Sequence, residues 1–340
     1  MLVREYYNHL DANQFEVYVA SGVEDGELRA RFTNQSHVFV ASRSKHGGRF
    51  GAWKKLREFM GQLKPDIIHS HLLSSDFFAW WYKKFVNPRV RWVVTLHNVE
   101  HHTSWFRRLL WKCILPAANQ IVAVSKGVGG YATQFLGVAP TRVRVVLNGI
   151  KLDSWLQVPK LEFENSKLFH LATIGRLTEQ KGHQYLFTAL SKCTQYPWQL
   201  EIFGDGEKRA ELEQFAKHLG IANRLHWQGI AITIPERLAY VDVVVQPSLW
   251  EGLSLVVMEA MAAGRIVAVS TAAAAELMQD GKTGYVVPTG DSLALEEKLI
   301  YIFEHQAQAQ TVAEEARTYA IEHFSLEQHL QKIEEIYETL

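Results

Sequence analysis

The 340-residue chain holds only two cysteines, Cys113 and Cys193, and both fall in expected helices of different halves. A disulfide framework is thereby excluded, and a reducing compartment, the cytoplasm, fits the chain. No uninterrupted apolar run reaches the roughly 18 residues that a membrane-spanning helix needs. Arg4 and Glu5 stand at the start with no apolar stretch behind them, so the N-terminus does not read as a secretory leader. Internal repeats are missing, and the only low-complexity tract is the short run Ala272 to Ala275. Net charge is missing as well, since 36 lysines and arginines meet 36 acids. That balance is not local. Residues 1–155 carry 21 basic residues against 11 acidic ones, and residues 156–340 carry 15 against 25. Composition leaves two readings open: a first half that meets something anionic, or two oppositely charged domains that attract one another. The basic stretches contain no recognisable nucleic-acid module, which argues against a nucleic-acid partner.

What remains is a globular composition, 47% apolar and 21% charged, in a chain long enough for two domains. Short β-branched runs alternate with helical patterns, which predicts βα units around parallel sheets. Strands are expected near 16–21, 36–41, 66–71, 91–97, 120–125 and 142–148, then near 168–174, 199–204, 224–228, 242–247, 265–270 and 284–288. Helices are expected over Trp53–Leu63 and Ser75–Phe85, among others. Lys151–Lys167 lacks periodicity and contains Pro159, so it is the linker candidate. Leu293, Leu295, Leu299, Ile302 and Phe303 are expected on one helical stripe, and a last helix is expected after Ser325. Met1 to Leu10 has the pattern of the latter part of an amphipathic helix, with Leu2, Tyr6, Tyr7 and Leu10 on one side. A doubly wound domain ordinarily opens on a central strand and a glycine turn, and neither stands ahead of this helix.

The most informative stretch runs from Gln246 to Gly264. An apolar strand, Val241 to Val245, meets a Pro247-Ser248 turn; Glu251 and Gly252 follow, then an alanine-rich helix carrying Glu259 and ended by Gly264. Eight positions separate the two glutamates, a little over two helical turns, so both carboxylates can address one cleft. Open α/β sheets bind ligands at such strand-to-helix junctions, and carboxylates there suit a ligand rich in hydroxyl donors. A second segment, Thr173 to Gly182, also follows a strand and opens a helix. Its Arg176 and Lys181 join free backbone N–H groups in a pattern suited to a diphosphate. Gly204-Asp205-Gly206 follows a third strand, and its glycines allow φ > 0 or the close approach of a base and ribose.

Read in order, Gly175-Arg176, Lys181-Gly182, Gly204-Asp205-Gly206, Pro247-Ser248, Glu251-Gly252 and Glu259-Ala260-Met261-Ala262 resemble the retaining family 4 glycosyltransferases of GT-B architecture. Pro65 to His71, Val93 to Asn98, Val124-Ser125-Lys126 and Asn148-Gly149 are similar to the family's first-half segments, so the likeness covers nearly the whole chain. It implies an α/β fold of two Rossmann-like doubly wound domains facing a cleft. The expected division is 1–155 for the acceptor side, without its first strand, and 156–320 for the nucleotide-sugar side. Residues 321–340 are expected to form a C-terminal helix that packs back on the first domain.

The resemblance also implies roles. Arg176 and Lys181 would hold the donor's diphosphate, Glu259 the ribose hydroxyls, and Gly204 and Gly206 the nucleotide. Glu251 would face the transferred sugar, with the backbone of Gly252, Leu253 and Ser254 beside it, and His97 would line the sugar pocket. His71 is balanced between ligand contact and packing, and His69 reads as packing. The implied reaction moves a sugar, with retention, from a UDP- or GDP-linked donor to a hydroxyl of a glycan or lipid-linked saccharide. No Asp-x-Asp pair occurs, so no metal or other cofactor is expected, and cations and helix N-termini take that place.

The chain departs from the family at Leu253-Ser254, where Phe-Gly is usual, at Arg265, where a proline is, and at Ala272–Ala275, where a Gly-Gly segment is. Basic and aromatic residues also interleave over 45–57, 78–92 and 105–112. Those stretches fit contact with an anionic membrane, the inner face of the cell membrane, or simple helix packing. Packing is the preferred reading for 78–92 and the membrane for 105–112. The rival function is a non-catalytic GT-B protein that binds nucleotide or a partner; an epimerase of similar architecture fits the glutamate pair less well.

Overall fold

The structure, a computed structural model, describes residues 2–22, 32–33, 35–99, 104–161, 168–230 and 234–340. They divide into two units, Met1–Asn148 with Glu327–Leu340, and Gly149–Leu326.

In the first unit, α1 (Leu2–His9) precedes β1 (Val19–Ser21) and β2 (Val38–Val40). Then come α2 (Gly48–Leu63), β3 (Ile67–His71), α3 (Leu73–Phe85), β4 (Arg91–Leu96), α4 (Trp105–Ile114), β5 (Gln120–Ala123), α5 (Lys126–Gln134) and β6 (Val143–Val145). All neighbouring strands are parallel, in two separate sheets ordered β1-β2 and β3-β4-β5-β6. Strands β4 and β5 are buried almost throughout, as expected of parallel strands with helices on both faces. Trp92 lies fully in this core and Trp53 packs against Phe78 and Trp81, so much of the aromatic content of 78–92 is helix–sheet packing. Helix α2 begins at Gly48, five residues before the expected Trp53.

The second unit contains α6 (Asp153–Leu156), β7 (Phe169–Ile174), α7 (His183–Lys192), β8 (Trp198–Phe203), α8 (Arg209–His218), β9 (Leu225–Gly229) and α9 (Ile234–Leu238). It continues through β10 (Val243–Gln246), α10 (Leu255–Ala262), β11 (Ile266–Ser270), α11 (Thr271–Ala274), β12 (Tyr285–Val287), α12 (Ser292–Glu304) and α13 (Gln306–His323). The sheet order is β12-β11-β10-β7-β8-β9, parallel throughout. Renumbered within the unit this is 6-5-4-1-2-3, the doubly wound dinucleotide-binding order. Its topological switch point lies between β7 and β10, where successive crossovers leave in opposite directions.

The division falls at Asn148/Gly149 rather than at 155/156. Two arginines hold the connecting segment on the second unit: Arg317 donates to the carbonyls of Leu156 (2.6 Å) and Val158 (3.3 Å). Arg265, almost wholly buried, donates to the carbonyls of Ala263 and Val241 (3.1 Å each) and of Pro159. Burial lowers the pKa of Arg265 to about 10, with neighbouring Asp242 opposing that shift. Residues 162–167 of the linker candidate lie outside the described residues. Helix α12 buries Leu295, Leu299, Ile302 and Phe303, but Leu293 is 62% exposed. It precedes Leu295 by two residues, some 200° around the helix, and so falls off the stripe. At the C-terminus α13 still runs through residues 321–323, and only α14 (Leu326–Glu338) belongs to the terminal helix.

Where the family's paired glycines are replaced by alanines, Ala275 adopts φ 39° and ψ −124°. A side chain in that region is strained by about 1–3 kcal/mol. Ala275→Gly is therefore expected to raise the melting temperature of the second unit by about 2–4 °C, the effect of roughly 1 kcal/mol in a unit of this size. A calorimetric scan of the variant showing no rise, or a fall, would mean that the surroundings of Ala275 favour its backbone geometry.

Candidate active site

Two loops meet at the switch point of the second sheet. One follows β7 and carries Arg176 and Lys181; the other follows β10 and carries Glu251. They are joined backbone to backbone and through glutamines: Leu249 N–H donates to the Gln180 carbonyl at 2.7 Å, and Gln180 Nε2 to the Trp250 carbonyl at 2.8 Å. Beneath them Gln246 Nε2 donates to the Ile174 carbonyl (2.7 Å), tying the C-terminal ends of β10 and β7 together. Gly182 sits at φ 64° against this seam, and a Cβ there would lie 2.2 Å from the Pro247 carbonyl oxygen. Only a glycine lets the two loops close this far.

Lys181 and Glu251 are brought together directly. Lys181 Nζ lies 2.5 Å from Glu251 Oε1, with both side chains largely buried, and Ser248 Oγ donates to the same oxygen at 2.9 Å. Arg176 stands exposed one residue after Gly175, and its side chain makes no hydrogen bond or ion pair among the described residues. Glu259 is half-buried in α10, a helix otherwise built of Leu, Val, Met and Ala. Its carboxylate too has no hydrogen-bond partner among the described residues, and burial raises its pKa to about 7. A carboxylate placed in apolar surroundings without a donor is expensive unless a ligand supplies one. The N-cap of α10, Ser254, makes no side-chain cap, so the helix opens with uncapped N–H groups. Gly252, Leu253 and Ser254 are buried.

Gly204 has φ 139°, one of the two reasons the sequence offers for a glycine there, and both glycines after β8 also clear the chain's own backbone. A Cβ on Gly204 would lie 1.9 Å from the Gly175 carbonyl oxygen, and one on Gly206 2.5 Å from that of Leu177. The atoms that approach closely are the chain's own loop after β7, held by Leu177 N–H to the Asp205 carbonyl at 3.0 Å. They shape the platform from below.

In the first unit His97 lies just past β4, at the end of a column of rings. His71 stacks on His97 (5.2 Å), His69 on His71 (4.6 Å), Tyr6 on His69 (5.5 Å) and His329 of α14 on Tyr6 (5.6 Å). His71 Nδ1 and His97 Nε2 share a hydrogen bond of 2.9 Å. Both nitrogens of His69 are used, by Tyr337 Oη (2.6 Å) and Thr95 Oγ1 (2.7 Å). His329 Nδ1 donates to the Leu147 carbonyl (2.7 Å), so its neutral ring accepts at Nε2 from Tyr6 Oη (2.9 Å). Burial lowers the pKa of His69 to about 3 and of His97 and His329 to about 4, and takes His71 well below the ordinary value. A further group, Asp76, accepts from Ser70 Oγ and Trp111 Nε1 (2.8 Å each), and burial raises its pKa to about 7. Nothing in the local sequence marks it, because its partners come from other elements.

These shifts set the acid behaviour. Below pH 6.5 the unfolded chain takes up protons that the four folded histidines refuse, so stability falls as pH drops from 6.5 toward 4. Asp76 and Glu259 act oppositely, since their folded forms bind a proton between about 4 and 7, but they are two groups against the four histidines. Melting temperatures measured from pH 7 to 4.5 are expected to fall steadily; a flat or rising profile would contradict neutral stacked histidines.

The profile described as Glycosyltransferase Family 4 matches residues 1–154, and that described as Glycosyl transferases group 1 matches residues 169–305. The fold and the two matches define a glycosyltransferase of GT-B architecture. The chain belongs to the family those two profiles describe.

Among curated relatives, an uncharacterised glycosyltransferase of Methanocaldococcus jannaschii is 31% identical over 240 residues, covering 62% of this chain and 59% of that protein. The lipopolysaccharide core biosynthesis mannosyltransferase LpsB of Rhizobium meliloti is 26% identical over 276 residues, 76% of this chain and 75% of that one. The match thus takes in about three-fifths of the first relative's length and three-quarters of the second's. Anabaena HepE, solved in complex with UDP, superposes with a TM-score of 0.81 at 22% identity, covering 93% of this chain and 90% of that one, a likeness of fold.

Proposed function

We propose that the protein transfers a sugar, with retention of anomeric configuration, from a nucleoside diphosphate donor to a hydroxyl of a glycan or lipid-linked saccharide. The observation that carries the reading is the platform at the β7/β10 switch point. It combines a lysine–glutamate pair with an arginine and a half-buried carboxylate whose side chains have no partner among the described residues, on the loops and helix that follow β7 and β10. In this reading Arg176 and Lys181 take the diphosphate, helped by the first N–H groups of α10 after Gly252, Leu253 and Ser254. Glu259 accepts from ribose hydroxyls, which supply the donors it lacks, and Glu251 orients the sugar or steadies its positive charge. His97 lines the sugar pocket.

Departure of the diphosphate is the demanding step, and fixed cations stabilise it where a divalent metal does so in other enzymes. The acceptor oxygen bonds to C1 on the face that the phosphate oxygen leaves, and the acceptor's proton passes to that oxygen. No protein base is then required. UDP in HepE and the lipopolysaccharide role in the name of LpsB support a UDP- or GDP-linked sugar and a surface glycan or glycolipid product. Work on a lipid-linked acceptor places the enzyme in the cytoplasm at the inner face of the cell membrane, in peripheral contact with anionic lipid.

Incubation with UDP- and GDP-sugars and a lipid-linked acceptor panel, followed by NMR of the product, tests this. An α-linked product from an α-linked donor is expected without added metal. A β-linked product overturns retention, and dependence on a divalent cation overturns the charge assignment. The second reading, nucleotide binding without transfer, draws on the first unit's sheets. These are ordered β1-β2 and β3-β4-β5-β6, and among the described residues β1 and β3 each pair on one side only. Donor binding with no turnover toward any acceptor would favour it.

A further inference from the structure

Helix α4 turns Trp111 and Ile114 into the core of the first unit and leaves the opposite side apolar as well. Trp105 is 69% exposed, Phe106 61% and Leu109 48%, and Phe135 at the end of α5 is 55% exposed. Between α4 and α5 lies a groove of about 310 Å³ with apolar walls from Trp105, Leu109, Phe135 and Leu136, and with Arg108 and Lys112 on it. Exposed aromatics grouped in this way mark a binding surface.

Charge says what kind. From residue 104 to residue 152 the sequence contains no aspartate or glutamate, while Arg107, Arg108, Lys112, Lys126, Arg142, Arg144 and Lys151 lie within it. Arg107, Arg108 and Lys112 are exposed and make no ion pair among the described residues. A helix with tryptophan and phenylalanine beside unpaired arginines has the composition of an interfacial helix: apolar rings among acyl chains, cations at phosphates.

We propose that the α4/α5 groove seats one anionic glycerophospholipid of the membrane. Its acyl chain lies against Trp105, Leu109, Phe135 and Leu136, and its phosphate meets Arg108 and Lys112. The seat would fix how the first unit lies on the bilayer, so this inference rests on, and deepens, the membrane contact proposed above.

The test is co-sedimentation of the full chain with vesicles at physiological salt. Two compositions serve, phosphatidylcholine alone and phosphatidylcholine containing phosphatidylglycerol. The wild type is expected to bind the anionic vesicles at least 10-fold more strongly. Leu109→Ser with Phe135→Ser is expected to reduce that binding at least 10-fold, and so is Arg108→Ala with Lys112→Ala. Both variants should retain wild-type melting and UDP binding, which separates loss of the seat from loss of fold. Wild-type vesicle binding by the Leu109/Phe135 variant overturns the seat but leaves membrane contact standing as a charge effect. Failure of the wild type to bind either vesicle overturns both. Stabilisation by inorganic phosphate without vesicle binding makes it a free-anion site, and a dimer that Phe135→Ser dissociates makes it a self-association face; either result overturns the lipid seat.

Discussion

Replacing Lys181 with methionine is expected to weaken UDP binding by about 100-fold, the loss of charge-assisted contacts worth about 1.5–3 kcal/mol each. The same change has a second consequence that a simple contact residue would lack. Lys181 Nζ is the ion-pair partner of Glu251 at 2.5 Å, in a setting where both side chains are largely buried. Removing the cation leaves the carboxylate with Ser248 alone, and an uncompensated charge in such a place costs about 3 kcal/mol of stability. Lys181→Met with Glu251→Gln removes both charges, so it should recover most of the lost melting temperature while UDP binding stays weak. Calorimetric melting and UDP titration of the two variants separate these effects. If the single variant binds UDP as the wild type does, Lys181 is a structural partner of Glu251 and nothing more.

The second large effect is expected from Gly182→Ala. The new methyl would stand 2.2 Å from the Pro247 carbonyl oxygen, a backbone atom that can yield only if the loops after β7 and β10 separate. Arg176 and Lys181 lie on one loop and Glu251 on the other, so a shift of an ångström pulls the constellation apart, and misplacement of that size can cost about 100-fold. The positive φ contributes strain of its own, about 1 kcal/mol, and Gly220→Ala isolates that contribution. Gly220 has φ 72° and nothing within 4 Å of its Cβ position. The control should melt slightly lower and bind UDP normally, whereas Gly182→Ala should lose donor binding beyond its loss of stability. Equal behaviour of the two would mean that the seam between the loops does not set the site.

The strands were legible because β-branched runs are short, nearly uninterrupted and bounded by turns. Val243-Val244-Val245 and Ile266-Val267-Ala268-Val269 are buried on both faces, as such runs imply. Arg176, Lys181 and Glu251 drew notice because each stands in the loop after a strand, and Glu259 because it lies in the helix that follows β10. The pairing of Lys181 with Glu251 was not legible, since the two stand 70 residues apart and meet only through the switch-point topology. At Gly204 the positive φ was within the reading a glycine allows, but the carbonyl it must also clear was hidden, because it belongs to another loop. Leu293 misled for a simpler reason: hydrophobicity marks a residue, and only its angle around the helix decides whether it is buried. The histidine column was out of reach of sequence patterns, because its rings come from α1, β3, the end of β4 and α14.

In the proposed function the β7/β10 platform holds a nucleoside diphosphate through Arg176 and Glu259, whose side chains have no hydrogen-bond or ion-pair partner among the described residues. Calorimetric titration of UDP into the wild-type chain and into Arg176→Ala with Glu259→Gln tests it. Single-site binding by the wild type and loss of binding in the double variant are expected, with the variant's melting temperature held or raised, since Glu259→Gln removes a carboxylate that burial disfavours. Undiminished binding by the double variant would place the nucleotide elsewhere and contradict the assignment.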